Sequence, residues 1–299
     1  MSNRKIIIGS RGSDLALWQA HFVEGQLQKL GHEVEINIIK TQGDKIQHLS
    51  FDKMEGKGFF TKEIEESLLQ ETIDLAIHSH KDLETTNPEG LAVAAVSYRE
   101  NPSELILIRK EAVDASQPFK FKKGAVVGTS SARRKVQLLH QRNDIALKDI
   151  RGNVPTRIQK LRDGQFDAIM LAYAGVKRLE IDLSEFEAVV LDPKDFIPAP
   201  AQGVLGLQIR ESDTELAEIL QQLNHPEVQQ TTVLEREVLR LFQGGCQLPL
   251  GSYAEKQGEE FHLWAAMADT WDAPLREVKL TGTDPKALAT EAVEALKKK

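Results

Sequence analysis

The fold of this chain is decided by its first apolar stretch, Lys5-Ile6-Ile7-Ile8-Gly9-Ser10-Arg11-Gly12-Ser13. The isoleucines are typical of a buried strand, and Ser13 is suited to cap a following helix. Apolar residues at helical spacing continue this helix to a stop at Gly31, and residues 34–38 alternate as a second strand. This βαβ opening predicts an α/β fold in which Arg11 and Ser13 lie at the carboxyl end of a strand, where such sheets bind ligands.

Composition narrows the class of protein. The 299 residues are 41% hydrophobic and 28% charged, which is ordinary for a soluble globular protein of two or three domains. No apolar run approaches the length of a membrane span, and a net charge of −7 argues against a non-specific nucleic-acid binder. One cysteine and the absence of an export signal predict a cytoplasmic protein. We therefore expect neither a membrane nor a nucleic acid as a partner.

A second α/β region is predicted around Gly128-Thr129-Ser130-Ser131-Ala132-Arg133-Arg134, which follows an apolar strand at 125–127. Hydroxyl groups, backbone N–H groups and paired arginines at the start of a helix form an anion site. The arrangement recurs where Arg151 and Arg157 flank another helix start. The first of these segments lacks the lysine and the spacing of a P-loop. The predicted ligand is a small molecule with several carboxylate or phosphate groups.

Two further segments of the first half suggest chemistry. Asp82 follows a predicted strand and the residues His78-Ser79-His80-Lys81, and a carboxylate placed there is suited to stabilise a cation or to move a proton. The His-x-His pair has no matching ligand cluster nearby, so no metal is expected. Residues 41–60 carry Lys53 and Lys57 among glycines and predict a mobile basic loop at the active site. A solvated surface excursion is the alternative for this loop.

The single cysteine lies in Gly244-Gly245-Cys246-Gln247-Leu248-Pro249. The glycines and the proline indicate a loop with room for a ligand at the sulfur, although free cysteine is also among the most often buried residues. The residues alone therefore leave both a functional thiol and an inert one open. Around this loop, a long helix over 227–242, three strands and a final helix over 285–296 predict a small α+β domain.

Five segments occur in an order that resembles the porphobilinogen deaminase family: residues 10–19, 78–82, 128–134, 151–157 and 244–251. The resemblance covers essentially the whole chain. It implies an α/β protein of three domains, in which two periplasmic-binding-protein-like α/β domains surround a cleft and a small C-terminal α+β domain follows. It also implies a monomer. The expected boundaries are 1–101 with 203–222 for domain 1, 105–197 for domain 2, and 226–299 for domain 3.

The activity implied by the resemblance is group transfer in tetrapyrrole (haem) biosynthesis. Four porphobilinogen molecules are deaminated and joined head to tail on a dipyrromethane cofactor, and hydrolysis releases hydroxymethylbilane. Cys246 would carry this cofactor through a thioether, and Asp82 would be the main catalytic carboxylate. The cofactor would be held by Lys81, Asp82, Thr129, Ser130, Ser131, Arg133 and Arg134. The substrate and the growing chain would be held by Arg11, Ser13, Gln19, Arg151, Arg157, Arg178 and Gln202.

The chain departs from the family pattern at several positions. His80 stands where methionine is usual, and Pro155 stands where glycine is common. Leu83-Glu84 replaces Val-Pro, and Pro200-Ala201 replaces Val-Gly. Asp82 is retained, so these departures concern the geometry of the loops and the pH dependence of the site. His80 either titrates near neutrality or points away from the ligand.

Two other classes of protein fit parts of the sequence. A two-lobed small-anion binding protein would use the arginines but not the cysteine-bearing domain. A cysteine hydrolase would pair Cys246 with His225 or His262, which requires a base within hydrogen-bond reach of the thiol. The mass of the intact protein separates the three classes, because only the deaminase carries two additional pyrrole units that a Cys246→Ser substitution removes.

Overall fold

The structure is a computed structural model of the chain and describes residues 4–41, 61–243 and 248–298. These residues divide into two compact units. The first unit holds residues 4–41, 61–100 and 203–230, and the second unit holds residues 101–202, 231–243 and 248–298. No helix in these ranges is long and apolar enough to cross a lipid bilayer.

Strands and helices are numbered here in chain order over the described residues. The strands are β1 (Lys5–Ser10), β2 (Glu33–Ile38), β3 (Leu75–Ser79), β4 (Leu91–Val96), β5 (Glu104–Arg109), β6 (Val126–Gly128), β7 (Ala146–Lys148), β8 (Ala168–Ala172), β9 (Phe186–Val190), β10 (Leu205–Arg210), β11 (Leu250–Gln257), β12 (Glu260–Met267) and β13 (Arg276–Gly282). The helices are α1 (Asp14–Lys29), α2 (Lys62–Leu69), α3 (Ala132–Gln141), α4 (Val154–Arg162), α5 (Tyr173–Arg178), α6 (Thr214–Gln221), α7 (Pro226–Leu241) and α8 (Pro285–Lys298).

The first unit is built on a five-stranded sheet in the order β2-β1-β3-β10-β4. Strands β1, β2 and β3 are parallel, and β10 runs antiparallel to its neighbours β3 and β4. Both faces of the sheet are covered, which explains the unbroken apolar run in β1. Ile6 and Ile8 pack in one core with Leu27 of α1, whereas Ile7 packs in another with Leu68 of α2. Only three residues separate the carboxyl end of β1 at Ser10 from the start of α1 at Asp14.

The α/β part of the second unit repeats this topology in the order β7-β6-β8-β5-β9. Strands β6, β7 and β8 are parallel, and β5 runs antiparallel to β8 and β9. Successive residues of β5 face opposite cores: Leu105 packs with Ile158 of α4, and Ile106 packs with Leu138 of α3. The carboxyl ends of β6 and β8 therefore lie at one edge of this sheet, next to the helices that follow them.

Residues 250–298 form an antiparallel three-stranded sheet in the order β11-β12-β13, together with α8. One face packs on the helices, where Leu263 of β12 meets Val238 of α7 and Leu288 of α8. The other face packs Trp264 with Tyr253 and other residues of a smaller cluster. The predicted α/β class and the small C-terminal α+β part are thus confirmed.

The structure refines two features of the predicted architecture. The chain passes between the two units at residues 100/101, 202/203 and 230/231. The residues of the second and third predicted domains have separate sheets but share one unit, so the three-domain division stays a prediction. In the stretch 213–223, residues Thr214–Gln221 form the helix α6. Asp213 caps this helix by accepting a hydrogen bond from the Leu216 N–H at 3.2 Å.

Candidate functional site

A pocket in the first unit lies at the carboxyl ends of β1 and β3. Its polar lining residues are Arg11, Ser13, Gln19, Thr61, His78, Ser79 and Asp82. The structure therefore brings together three predicted substrate-binding residues and the predicted catalytic carboxylate, although Asp82 follows the other three by more than 60 positions in the chain. This is the arrangement expected when parallel strands end at the same edge of a sheet.

The start of α1 positions one side of this pocket. Ser13 is the N-cap of the helix, and its Oγ accepts a hydrogen bond from the Ala16 N–H at 3.4 Å. Gln19, buried on the same helix, donates through Nε2 to Ser79 Oγ at 3.0 Å, which ties α1 to the end of β3. Arg11 lies in the turn before the helix and is partly exposed. This turn thus presents a guanidinium group that suits a carboxylate ligand.

Asp82 ends a short 3₁₀ turn, His80–Asp82, that follows β3. Its side chain is exposed, and among the described residues no side chain pairs with its carboxylate. The turn itself is firmly placed, because the His80 N–H donates to Val204 O at 2.9 Å. The His80 ring is buried, and a Cβ at position 206 would lie 2.7 Å from its Nδ1, so glycine is required there. His80 thus packs into the fold, and Asp82 is held in an exposed position beside the pocket.

A chain of hydrogen-bonded polar side chains begins at His78, which lines the same pocket. His78 and Gln208 are joined by a hydrogen bond between Nε2 and Oε1 at 3.1 Å. Gln208 in turn donates through Nε2 to Glu65 Oε1 at 3.0 Å. Burial lowers the pKa of His78 to about 4, against the smaller opposing effect of the bond to Gln208. The imidazole is therefore neutral at physiological pH.

In the second unit, the turn after β6 is fixed by hydrogen bonds from its middle residue. Ser130 Oγ donates to Ile150 O at 2.8 Å and accepts from the Ile150 N–H at 3.0 Å. Thr129 is buried, and its N–H donates to Lys148 O at 3.0 Å. Ser131 is the N-cap of α3 but makes no capping hydrogen bond with its side chain. Ser130 is thus occupied in holding the turn, whereas the hydroxyl of Ser131 is not used for capping.

Two arginines at the start of α3 share one buried carboxylate. Arg133 Nη2 lies 2.6 Å from Glu104 Oε1, and Arg134 Nη2 lies 2.7 Å from Glu104 Oε2. The arginines are each 6% exposed and Glu104 is 0% exposed. Burial lowers the pKa of Arg133 below its ordinary value, while the charge of Glu104 raises it. Two guanidinium groups and one carboxylate leave an excess positive charge in the interior of this unit, which favours an anionic ligand.

Arg134 also has an unused donor. Its Nη1 donates to Met170 O at 3.1 Å, but its buried Nε–H has no acceptor among the described residues. A buried donor on a charged group without a partner is unfavourable, so this atom too fits an anion that is present in the working protein. The donor set is that expected for a cofactor with acidic side chains.

The remaining predicted arginines lie at α4 and α5. Asn153 caps α4 by accepting from the Thr156 N–H at 3.0 Å, and Arg157 Nε donates to Gly152 O at 2.7 Å. Pro155 occupies the first turn of α4, where proline is tolerated, so this departure from the family pattern leaves the helix intact. Arg178 lies in the last turn of α5 and is 5% exposed. Arg151 immediately precedes the Gly152 turn and is partly exposed.

Family models match both the α/β region and the C-terminal part. The model described as porphobilinogen deaminase, dipyromethane cofactor binding domain, matches residues 6–218. The model described as porphobilinogen deaminase, C-terminal domain, matches residues 229–298. The chain belongs to the porphobilinogen deaminase family.

Curated relatives in the porphobilinogen deaminase family are similar over most of the chain. The porphobilinogen deaminase of Oceanobacillus iheyensis is 40% identical over 295 residues, which cover 98% of this chain and 94% of the relative. That of Nitratiruptor sp. is 45% identical over 247 residues, which cover 83% of this chain and 77% of the relative. Among solved structures, a Salmonella typhimurium periplasmic binding protein with high arginine specificity is 14% identical and covers 74% of this chain and 91% of its own, with a TM-score of 0.42. That score is too low to support an inference.

Gln202 lies deeper in the second unit than a ligand-lining residue is expected to lie. It is fully buried, and its Nε2 donates to Pro102 O at 2.8 Å and to Glu104 Oε1 at 3.2 Å. It therefore belongs to the buried network around Glu104 in the second unit. Its predicted role in substrate binding stays a prediction.

Some predicted features of the site lie outside the described residues. These are Lys53 and Lys57 of the predicted basic loop and Cys246, the predicted point of cofactor attachment. Within residues 4–41, 61–243 and 248–298, no group of three or more His, Cys, Asp or Glu side chains could hold a metal ion.

Three residues important to the geometry were not predicted from the sequence. Ser79 receives the Gln19 amide, Glu104 pairs with two arginines, and Glu235 is a fully buried carboxylate in α7. Glu235 accepts hydrogen bonds from the Ala201 N–H at 2.7 Å and from the Ala254 N–H at 2.8 Å. For the two glutamates, the available signal was a charged residue directly next to apolar residues, as in Glu104-Leu105-Ile106. A charged side chain in such a place is rarely fully buried unless it is paired.

Proposed function

We propose that this chain is the enzyme that deaminates four porphobilinogen molecules and joins them head to tail, and then releases hydroxymethylbilane by hydrolysis. Membership of the porphobilinogen deaminase family supports the reaction. The structural observation that carries the proposal is Asp82, an exposed carboxylate without a side-chain partner among the described residues, at a pocket lined by Arg11 and Ser13. This pocket offers one anionic and one cationic group to a substrate that carries both charges.

Asp82 is proposed to act on the positive charge of the reacting pyrrole. Loss of ammonia from porphobilinogen leaves an azafulvene cation whose charge is shared with the pyrrole nitrogen. A carboxylate near this N–H stabilises the cation as it forms, and it can accept the proton lost when the ring regains aromaticity. The fixed 3₁₀ turn supports this role, because a preorganised charge needs no rearrangement during the reaction.

The acidic side chains of the pyrroles are proposed to bind the cationic residues. Each pyrrole carries an acetate and a propionate, so a growing chain accumulates carboxylates that guanidinium groups can bind through two hydrogen bonds. In the first unit this role falls to Arg11, with Ser13 and Gln19 beside it. In the second unit it falls to Arg151, Arg157, Arg178 and Gln202.

We also propose which residues hold the dipyrromethane cofactor. When bound, this group supplies the pyrrole position to which the first substrate is joined. The residues proposed to bind the cofactor are Lys81, Asp82, Thr129, Ser130, Ser131, Arg133 and Arg134. Of these, Lys81, Thr129, Ser131, Arg133 and Arg134 are proposed to hold its carboxylates. The excess buried positive charge around Glu104 and the unused Arg134 Nε–H support this assignment in the second unit. The proposed attachment is a thioether to Cys246, supported by the single thiol in a glycine-rich segment.

Two broader features complete the proposal. We infer a monomer that works in the cytoplasm, and the single cysteine supports a reducing compartment. Neither nucleic acid nor membrane is proposed as a partner.

The proposed function is tested by two measurements, the stoichiometry of the products and the mass of the intact protein. Purified enzyme incubated with porphobilinogen should release four molecules of ammonia for each linear tetrapyrrole. The intact protein should exceed its sequence mass by two pyrrole units, and Cys246→Ser should lack both the excess mass and the turnover. An unmodified, freely alkylated Cys246 in active enzyme would contradict the attachment. Binding of porphobilinogen without release of ammonia would favour a small-anion binding protein instead.

A further inference from the structure

We propose that His78 is a further substrate-binding residue, whose Nδ1 accepts a hydrogen bond from the protonated aminomethyl group of porphobilinogen. The inference rests on the proposed function and extends it to a residue outside the predicted site. It starts from the hydrogen-bonded chain of Glu65, Gln208 and His78 described above, in which His78 and Gln208 are buried.

This chain fixes which ring nitrogen of His78 carries the proton. A carboxylate can only accept, so Glu65 receives its hydrogen bond from the amide nitrogen of Gln208. The amide oxygen of Gln208 then faces His78, and because this oxygen also only accepts, His78 Nε2 is the donor. Neutral imidazole has a single N–H, so the lone pair of Nδ1 stays available.

Burial keeps the ring in this neutral form, since the pKa of His78 is lowered to about 4. The ring therefore acts as an acceptor throughout the neutral range. The charged groups that line the same pocket are Arg11, from the turn after β1, and Asp82, from the 3₁₀ turn after β3. Glu65 of α2 lies at the far end of the chain and is separated from the ring by Gln208.

Nδ1 is the ring atom that remains for a ligand. The His78 ring makes no second hydrogen bond within the part of the chain that the structure describes, and the residue lines the pocket beside Ser79 and Asp82. Thr61 lines the same pocket, and its buried hydroxyl has no hydrogen-bond partner there either. A pocket with an unused acceptor and an unused hydroxyl fits a ligand that brings polar hydrogens.

Porphobilinogen has two kinds of N–H donor that can meet these groups. The pyrrole N–H is assigned to Asp82, which leaves the aminomethyl nitrogen, protonated at neutral pH, for His78. A charged donor strengthens the hydrogen bond to a neutral acceptor. Because this nitrogen later leaves as ammonia, the bond should act on the binding and orientation of the substrate more than on turnover.

Two variants of the loaded holoenzyme separate this role from a purely structural one. His78→Gln keeps a donor able to reach Gln208 but lacks the acceptor at the Nδ1 position. His78→Asn places an amide near Nδ1 but gives up the bond to Gln208. We expect KM for porphobilinogen to rise about 10-fold in His78→Gln with kcat changed less than 3-fold, as for loss of a hydrogen bond to a charged group. His78→Asn should raise KM less, although it should be the less stable protein.

The inference is overturned if KM in His78→Gln stays within 2-fold of the wild type, or if the variant with the lower melting temperature is also the one with the higher KM. A measurement on the wild-type holoenzyme decides the matter if the variants do not fold. With ¹⁵N-labelled histidine, the His78 Nδ1 resonance should be that of an unprotonated nitrogen and should shift when porphobilinogen binds. An unchanged resonance at saturating substrate would reject the contact. Failure of the proposed function is distinct, because the wild-type enzyme would then not consume porphobilinogen at all.

Discussion

The two α/β sheets have the same strand order, yet they differ in what lies at the carboxyl ends of their strands. In the first unit, the His78 ring is neutral and is linked to Glu65 through the amide of Gln208, and the acidic Asp82 is exposed. In the second unit, Arg133 and Arg134 are buried around Glu104. One topology therefore carries a site suited to chemistry on a cation and a site suited to holding anions.

The difference shows how little of the chemistry the topology specifies. Both sheets place the ends of three parallel strands and the starts of helices together at one edge. The first turn of each sheet has serine and arginine near the helix start, but Arg11 precedes its helix and stays partly exposed, whereas Arg133 and Arg134 lie within theirs. Shifting the arginines by a few residues moves the charge from the surface of a pocket into the interior.

The largest expected effect comes from removing the buried carboxylate of the second unit. Glu104→Gln removes the only carboxylate paired with Arg133 and Arg134 among the described residues, and leaves two buried guanidinium groups uncompensated. The free energy of unfolding should fall by about 3–5 kcal/mol, measured by denaturant titration of the cofactor-free protein. The matched control is Glu185→Gln, whose exposed pair with Arg162 should leave stability nearly unchanged. Equal losses in the two variants would contradict the special position of Glu104.

The exposed side of the comparison is tested at Asp82. Asp82→Asn keeps the shape but removes the charge, and formation of the first enzyme–pyrrole adduct should slow by about 10² to 10³, roughly 3–4 kcal/mol. Asp82→Glu keeps the charge at a shifted position and should lose less.

Both Asp82 variants should fold normally, because the side chain is exposed. The measurement is single-turnover kinetics on protein already loaded with cofactor, so that assembly defects are not mistaken for catalytic ones. Near-normal adduct formation in Asp82→Asn would reject this role.

The neutral polar chain of the first unit predicts a pH dependence of stability. The folded-state pKa of His78 is about 4, below its ordinary value of 6.5, so the unfolded chain takes up a proton that the folded chain does not. Stability from this residue is complete above pH 6.5 and is lost as pH falls towards 4, by about 3 kcal/mol in all. Unfolding of wild type and His78→Gln at pH 7 and pH 4.5 tests this. The variant should lose less stability between the two values, and parallel losses would show that other groups cause the effect.

The smallest expected effect compares neighbouring serines in the turn after β6. Ser130→Ala loses two hydrogen bonds to the Ile150 backbone and should destabilise the protein by about 1–2 kcal/mol. Ser131→Ala loses no capping bond and should change stability by less than about 0.5 kcal/mol, while it lowers the fraction of protein loaded with cofactor. Thermal unfolding measures the stability, and intact mass measures the loaded fraction. If Ser131→Ala were the less stable variant and Ser130→Ala the less loaded one, Ser131 would hold the turn and Ser130 would face the ligand.

The sequence predicted best the features that depend on local pattern. The alternating and helical periodicities around β1 and α1 gave the βαβ opening, and the position of Arg11 and Ser13 after a strand gave their place in the pocket. Asp82 lies at the same pocket because β3, the strand before it, is parallel to β1 and ends at the same edge of the sheet. Helix α5, which the sequence did not show, has six residues, which is too few for a period to show.

Pairings between distant residues could not be predicted in this way. Glu104 and Arg133 are 29 positions apart, and their contact depends on β5 lying next to β8 in the sheet. The arginines at the start of α3 were predicted to meet a ligand, whereas their burial depends on how the helix rotates against the sheet. Sequence spacing fixes the first turn of a helix, but packing of the whole unit determines which atoms of its side chains stay accessible.

The antiparallel strand in each sheet has a consequence for how the chain folds during synthesis. All five strands of the sheet in the second unit come from residues 104–190, so this sheet can form as soon as that segment is made. The sheet of the first unit needs β10, which lies between β3 and β4 but is synthesised after the whole of β5 to β9. Long-range strand pairing is slow. Until Arg210 has emerged, β3 has an unpaired edge and β4 has no partner strand in the sheet, and the nascent chain is then most exposed to aggregation.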